Sequence, residues 1–226
     1  MATHLDLEEQ EQLDQLKHFW ATWGSLISSL LLVVLLGLAG WNGYQFWQAR
    51  QATQASALFD AVESAAKSQD ARRMEQAFND LRTRHGGTTQ ASQAALLVAR
   101  VLQASGKEDQ AKEALDWITS HASDEGYRAI GRLRLTSILI AQGAYDQALA
   151  QLSADFPPEF AGSVADRRGD VQSLLGKRNE AIAQYQLAYR SFGPSVEYRS
   201  LVEVKLNAMG VRPEEAASGP VKDSVK

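Results

Sequence analysis

The chain contains no cysteine, which excludes disulfides, thiol nucleophiles and cysteine-based zinc sites and leaves reducing and oxidising compartments equally open. Proline is scarce. The five present, Pro157, Pro158, Pro194, Pro213 and Pro220, stand at breaks between helical segments or in the tail. An excess of base is also missing: 23 Lys and Arg face 27 Asp and Glu, for a formal net charge of -4. Phosphate recognition needs a basic stripe, and here the bases are scattered among slightly more acids, so nucleic acid is excluded as a partner. The most informative absence is local, because no Asp, Glu, Lys or Arg occurs between Lys17 and Arg50.

That uncharged interval has an apolar centre running from Leu26 to Ala39, bracketed by Phe19, Trp20 and Trp23 on one side and Trp41, Tyr44, Phe46 and Trp47 on the other. Aromatics at both ends are the pattern of interfacial belts. At a rise of about 1.5 Å per residue, Trp23 to Trp41 spans roughly 27 Å, close to the hydrocarbon thickness of a bilayer. A transmembrane helix over residues 18–47, in contact with membrane lipid, is therefore predicted. A cleaved signal peptide fits less well, since the segment before it holds Asp6, Glu8, Glu9, Glu11 and Asp14 against Lys17 alone, where a signal peptide would be basic. Orientation stays open, because loop charge offers only Lys17 to weigh against Arg50. Gly37, Gly40 and Gly43, with Ala39, form a strip of small residues where another helix could pack, and Ser28, Ser29 and Asn42 could add hydrogen bonds across it.

After the span the chain is Ala-rich and helical in pattern. Helices are expected from about Gln51 to Ser68, with Leu58, Phe59 and Val62 on one face, and from about Asp70 to Arg84, with Met74, Phe78 and Leu81, closed by the pair Gly86-Gly87. Three later glycines each introduce the same local pattern. Gly106, Gly143 and Gly176 are followed five residues on by Ala111, Ala148 and Ala181, and nine residues on by Leu115, Leu152 and Tyr185. The glycine supplies a turn with positive φ, the alanine sits where two helices come closest, and the large side chain fills the seam a turn later. Leu102 and Leu139 take matching core positions upstream. The glycine spacings of 37 and 33 residues bracket the 34-residue tetratricopeptide period, and the pattern resembles the second half of that repeat. It departs from it in the first helices, where the expected small glycine occurs only at Gly169, with Ala99 and Thr136 in the other units.

The fold class expected is all-α: a single N-terminal transmembrane helix followed by a tetratricopeptide-like α-solenoid of antiparallel helix pairs. The organisation is an acidic segment at 1–17, the span at 18–47, the repeat domain at 48–210 and a disordered tail at 211–226, whose Pro, Gly, Ser, Glu and Lys cannot bury a core. A last helix from about Val196 to Met209, stopped by Gly210, would cover the end of the solenoid.

Catalytic chemistry has no foothold. His4, His18, His85 and His121 are dispersed, and neither a metalloprotease, serine-hydrolase, Walker nor dinucleotide motif occurs, so no catalytic residue, metal or cofactor is expected. Solenoids present a surface built from the first helix of each hairpin. Carrying the tetratricopeptide ligand-facing positions onto this register gives a candidate peptide groove at Gln93, Arg100 and Gln103, at Ser137, and at Asp166, Asp170 and Ser173.

The start Leu7-Glu8-Glu9-Gln10-Glu11-Gln12-Leu13-Asp14-Gln15-Leu16-Lys17, the tryptophan-flanked span, Gly40-Trp41 near its end and Tyr44-Gln45-Phe46-Trp47 after it, together with the repeats, closely resemble the YfgM family. The likeness runs from about residue 6 to 210. It implies a Gram-negative inner-membrane protein with a cytoplasmic N-terminus and a periplasmic tetratricopeptide repeat domain, an ancillary subunit of the SecYEG translocon linked to a membrane-anchored PpiD-like periplasmic chaperone and to protein export. The alternative it leaves open is a regulator of stress-response signalling acting through the acidic cytoplasmic segment.

Overall fold

The computed structural model describes residues 7–213, and among these it contains α-helices and one 3-10 turn but no strand. The chain divides at Gln51 into two compact units. The first unit is the start of α1, which runs as one helix from Leu7 to Lys67. From Lys17 onward α1 is long and apolar enough to cross a membrane, and Leu30, Leu36 and Phe46 are each more than 60% exposed. Its polar side chains bond within the helix: Thr22 Oγ1 donates to the His18 carbonyl at 2.9 Å and Asn42 Nδ2 to the Leu38 carbonyl at 3.0 Å. Internal satisfaction of this kind is what a hydrocarbon environment demands. The helix breaks neither at residue 17 nor at 47, where segment boundaries were expected. Beyond Gly43 the sequence to Lys67 offers neither glycine nor proline, and its Ala and Gln favour helix whether or not lipid surrounds them.

The second unit is built from helical hairpins. The end of α1 pairs with α2 (Ala71–His85), α3 (Thr89–Ala104) with α4 (Glu108–His121), α5 (Glu125–Ala141) with α6 (Tyr145–Leu152), and α7 (Ala161–Leu174) with α8 (Arg178–Ser191); α9 (Tyr198–Ala208) follows. Side-chain caps start α2, α3 and α5, where Asp70, Thr88 and Asp124 accept from the backbone N–H three residues on.

A single backbone device ends the first helix of every hairpin and also α9. Gln69, Gly106, Gly143, Gly176 and Gly210 take φ of 58°, 73°, 72°, 74° and 68°, at intervals of 37, 37, 33 and 34 residues. At each, the next residue's N–H reaches the carbonyl five positions back at 2.9–3.0 Å, and the left-handed residue's own N–H reaches the carbonyl three back at 2.8–3.2 Å. This is the Schellman closure, repeated five times. Its first member is a glutamine and escapes a search for glycines. Five residues after it comes Met74 and nine after it Phe78, both buried, so the first hairpin obeys the register of the others with methionine in the alanine position.

Ala111, Ala148 and Ala181 are completely buried at the helix seams, with Leu115, Leu152 and Tyr185 beside them. Gly169 is a closer approach still: a Cβ there would lie 2.5 Å from the Tyr185 ring. Gly86, by contrast, ends α2 in the right-handed region at φ -57° rather than in a glycine turn. A Cβ on it would come within 2.5 Å of the Arg82 carbonyl, so crowding explains the glycine.

Two apolar cores result. The larger extends from Ala55 and Val62 through α2–α5 to Ala148 and takes in Val171 of α7, and the smaller joins Ala165, Ala181, Tyr185, Ala188, Val202 and Leu206 of α7, α8 and α9, so α7 contributes to both. Before α7 the helical stacking is interrupted: α6 stops after eight residues and the chain passes through Pro157 and a 3-10 turn at Pro158–Phe160. Arg168 Nη2 crosses this junction to the Leu152 carbonyl at 2.7 Å. Val211, assigned by composition to the tail, instead packs on the smaller core and completes the last Schellman closure. Residues 214–226 of the expected disordered tail lie outside the described residues.

Candidate interaction surface

Polar contacts tie the first helices of the early hairpins to one another, the end of α1 to α3 and α3 to α5. Gln90 Nε2 donates to Ser56 Oγ at 3.2 Å and Gln93 Nε2 to the Tyr127 hydroxyl at 3.0 Å. Of the candidate groove residues, Gln93, Arg100 and Gln103 stand exposed along α3. Ser137 is half-buried on α5, with its hydroxyl donating to the Leu133 carbonyl at 3.0 Å. Ser173 is half-buried on α7, and its carbonyl accepts the Gly176 N–H at 3.0 Å.

Asp166 and Asp170 behave differently. The structure brings them together around Lys205 of α9, whose ammonium lies 2.7 Å from Asp166 Oδ1 and 2.6 Å from Asp170 Oδ1. Tyr198 donates its hydroxyl to Asp166 Oδ2 at 2.8 Å, Tyr185 to Asp170 Oδ1 at 2.9 Å, and Arg167 Nη1 to Asp170 Oδ2 at 3.1 Å. Asp166 is 1% exposed. These two acids join α7 to α8 and α9, and a ligand on the open face would meet α9 there. Burial, followed by the hydrogen bond to Asp166 and its negative charge, pushes the Tyr198 phenol up to about 12. Burial first and then the charge of Asp170 raise Tyr185 as well.

Lys205, Tyr185 and Tyr198 were not singled out from the sequence, although a signal for the lysine exists. Lys205 falls between Val202 and Leu206 on the buried stripe of α9, an ammonium at a position the helical period reserves for an apolar group. Asp166 and Asp170, four residues apart on α7, are its complement.

Elsewhere, side chains capable of chemistry serve packing. His121 stacks on Trp117 with centroids 5.4 Å apart and planes at 3°, and its Nδ1 lies 3.1 Å from the Trp117 carbonyl. Trp117 in turn meets Phe78 edge-on at 5.9 Å. Among the described residues no three His, Asp or Glu side chains converge as a metal ion requires. On α1, a Cβ added at Gly37, Gly40 or Gly43 would meet nothing within 4 Å, so that strip is open for another helix.

A helical-repeat interaction protein carrying a candidate membrane anchor is the class that this arrangement defines. Comparison with known proteins agrees. The tetratricopeptide repeat-like domain family matches residues 17–211, covering the anchor and the repeats together. A protein of Neisseria gonorrhoeae (strain ATCC 700825 / FA 1090) described as "Ancillary SecYEG translocon subunit" is 31% identical over 210 residues, which cover 92% of this chain and 100% of that protein. No solved structure matches. The chain belongs to the YfgM family, a family of tetratricopeptide repeat-like proteins.

Proposed function

We propose that the protein is an ancillary subunit of the SecYEG translocon, held in the inner membrane by α1, with its repeat domain on the periplasmic side as a non-catalytic scaffold linking export to a PpiD-like chaperone. The observation that carries the translocon role is collinear identity: 31% along 92% of this chain and the whole of a relative bearing that description. Two features support the scaffold role. An anchor restricts the repeat domain to the membrane surface, which raises its effective concentration near any other membrane complex. The exposed residues of α3 and the open glycine strip of α1 provide surface for docking, and no turnover is required of either.

The chaperone link and the orientation follow from the family resemblance and extend the translocon reading. The experiment is photo-crosslinking of the full-length protein, co-reconstituted with the translocon in proteoliposomes, from probes placed at Gly37 and Gly40. Adducts with a translocon subunit are expected, and their absence from every probe position would overturn the role. Protease protection of the repeat domain in sealed membrane vesicles reports its side, and co-reconstitution with the chaperone reports the link.

A further inference from the structure

Counting back from the left-handed residue places equivalent positions of the first helices in register. The position nine residues before it holds Asp60, Leu97, Arg134 and Arg167 in successive hairpins and Leu201 in α9. Its character changes along the face, from an acid to leucine on α3, then an arginine pair on α5 and α7, then leucine again on α9. The arginine pair stands at the junction between the two cores, where α5 and α7 enclose a recess of about 330 Å3. Ile130 and Leu133 of α5 line one side and Phe192 and Tyr198 the other, the last two edge-on at 5.5 Å. Ile130 and Leu133 are half-buried, and part of their apolar surface lines the recess.

The charges around it do not cancel. Asp166 and Asp170 are matched by Lys205 and Arg167, whereas Arg134 is exposed and makes no hydrogen bond or ion pair with another described residue. The recess thus carries one unmatched positive charge beside an apolar lining. We propose that it binds an extended peptide segment in which an acidic side chain stands next to a large apolar one, the apolar group entering between Leu133 and Phe192 and the acid pairing with Arg134. This rests on the scaffold reading and states the chemistry of what the repeat face takes. An exposed guanidinium alone gives selectivity with little affinity, and the apolar lining supplies the affinity. A ligand with one feature and not the other leaves half of the site unused. The recess has room for one or two side chains, which favours an extended segment over a helix about 10 Å across.

The test uses the full-length protein in lipid nanodiscs and short fluorescent Gly/Ser peptides, acetylated and amidated, that carry Leu-Glu-Phe, Leu-Gln-Phe or Leu-Lys-Phe. Anisotropy at low salt is expected to show the Glu peptide binding roughly threefold tighter than the Gln peptide, with the Lys peptide weakest. Arg134→Gln lies on the surface and should abolish the Glu preference while leaving Gln-peptide affinity unchanged; Leu133→Ser should weaken both. Equal binding of the Glu and Gln peptides, no binding of any peptide, or a preference that survives Arg134→Gln would overturn the proposal. Translocon crosslinking of Arg134→Gln is scored separately: a lost preference with crosslinking intact bears on the recess alone, and missing crosslinks with peptide binding intact bear on the translocon role alone.

Discussion

The two cores of the repeat domain solve the same packing problem by different means. In the larger one, the seams between α1 and α6 are closed by Ala, Val, Leu, Ile and Met, and a buried hydroxyl such as that of Thr136 is satisfied by its own helix, at 2.8 Å from the Arg132 carbonyl. In the smaller one, a lysine, two aspartates and two tyrosine hydroxyls are drawn together between α7, α8 and α9. Apolar seams stabilise in proportion to the area they bury and tolerate sliding. A buried ion network stabilises less, because desolvation offsets its attraction, but it has one correct arrangement. α9 is thus held by charge in addition to its apolar stripe of Val202 and Leu206, while the helices before it are held by apolar fit.

The sharpest way to break the larger core is Ala148→Asp. It places a carboxylate in a seam with 0% exposure and no partner, and should destabilise the domain by about 3–5 kcal/mol in denaturant unfolding. A variant as stable as the native protein would mean that the seam is not closed there. For the smaller core the counterpart is Lys205→Met, which strands Asp166 and should remove about 3 kcal/mol; adding Asp166→Asn and Asp170→Asn should restore much of it, since the penalty lies in the unpaired acids. Without that recovery, α9 would owe its position to apolar contact after all.

Gly169→Ala probes both modes at once. The added Cβ meets a Tyr185 ring whose hydroxyl is tied to Asp170, so the ring cannot swing aside freely, and a loss of about 1–3 kcal/mol is expected in thermal unfolding.

Alkaline pH should separate the cores without mutation. The folded state holds the Tyr198 phenol neutral up to about 12, against an ordinary value of 10.0, so the unfolded chain releases this proton first. The corresponding stability is fully present below pH 10 and is lost as pH rises from 10 toward 12. Tyr198→Phe should reduce that limb of the stability profile and leave the part that Tyr185 carries, and a limb unchanged in the variant would show that Tyr198 does not contribute. The smallest effect expected is a gain: Gln69→Gly relieves a left-handed glutamine and should stabilise by about 0.5–1 kcal/mol, whereas a loss on calorimetry would show that the Gln69 side chain contributes more than its backbone strain costs.

Much of this was legible in the chain. The uncharged interval with its aromatic belts marks the candidate span, and three glycines with alanine five residues later mark the hairpins, because both patterns are local and each residue type is dictated by one physical need. What escaped was set by context. Gln69 adopts a glycine's conformation because the hairpin around it demands it. The continuity of α1 past residue 47 reflects helix propensity that persists after hydrophobicity ends. Asp166 and Asp170 occupy groove positions in a consensus repeat, but α9 carries the lysine that claims them, and only the three-dimensional stacking of α7 and α9 reveals the match. Arg134 was missed because a single exposed arginine means little until its register mate Arg167 and the apolar wall beside it are seen together.

Where the protein works is decided by what it travels with in the membrane. Purifying the full-length protein from its native membranes in mild detergent, with a version ending at Gln51 in parallel, and identifying what accompanies each, tests it most directly. Recovery of translocon subunits with the full-length protein, accompanied by a periplasmic chaperone that is lost when the repeat domain is removed, is the predicted result. Recovery of a cytoplasmic regulator with no translocon subunit would contradict it and assign the protein to signalling through its acidic N-terminal segment.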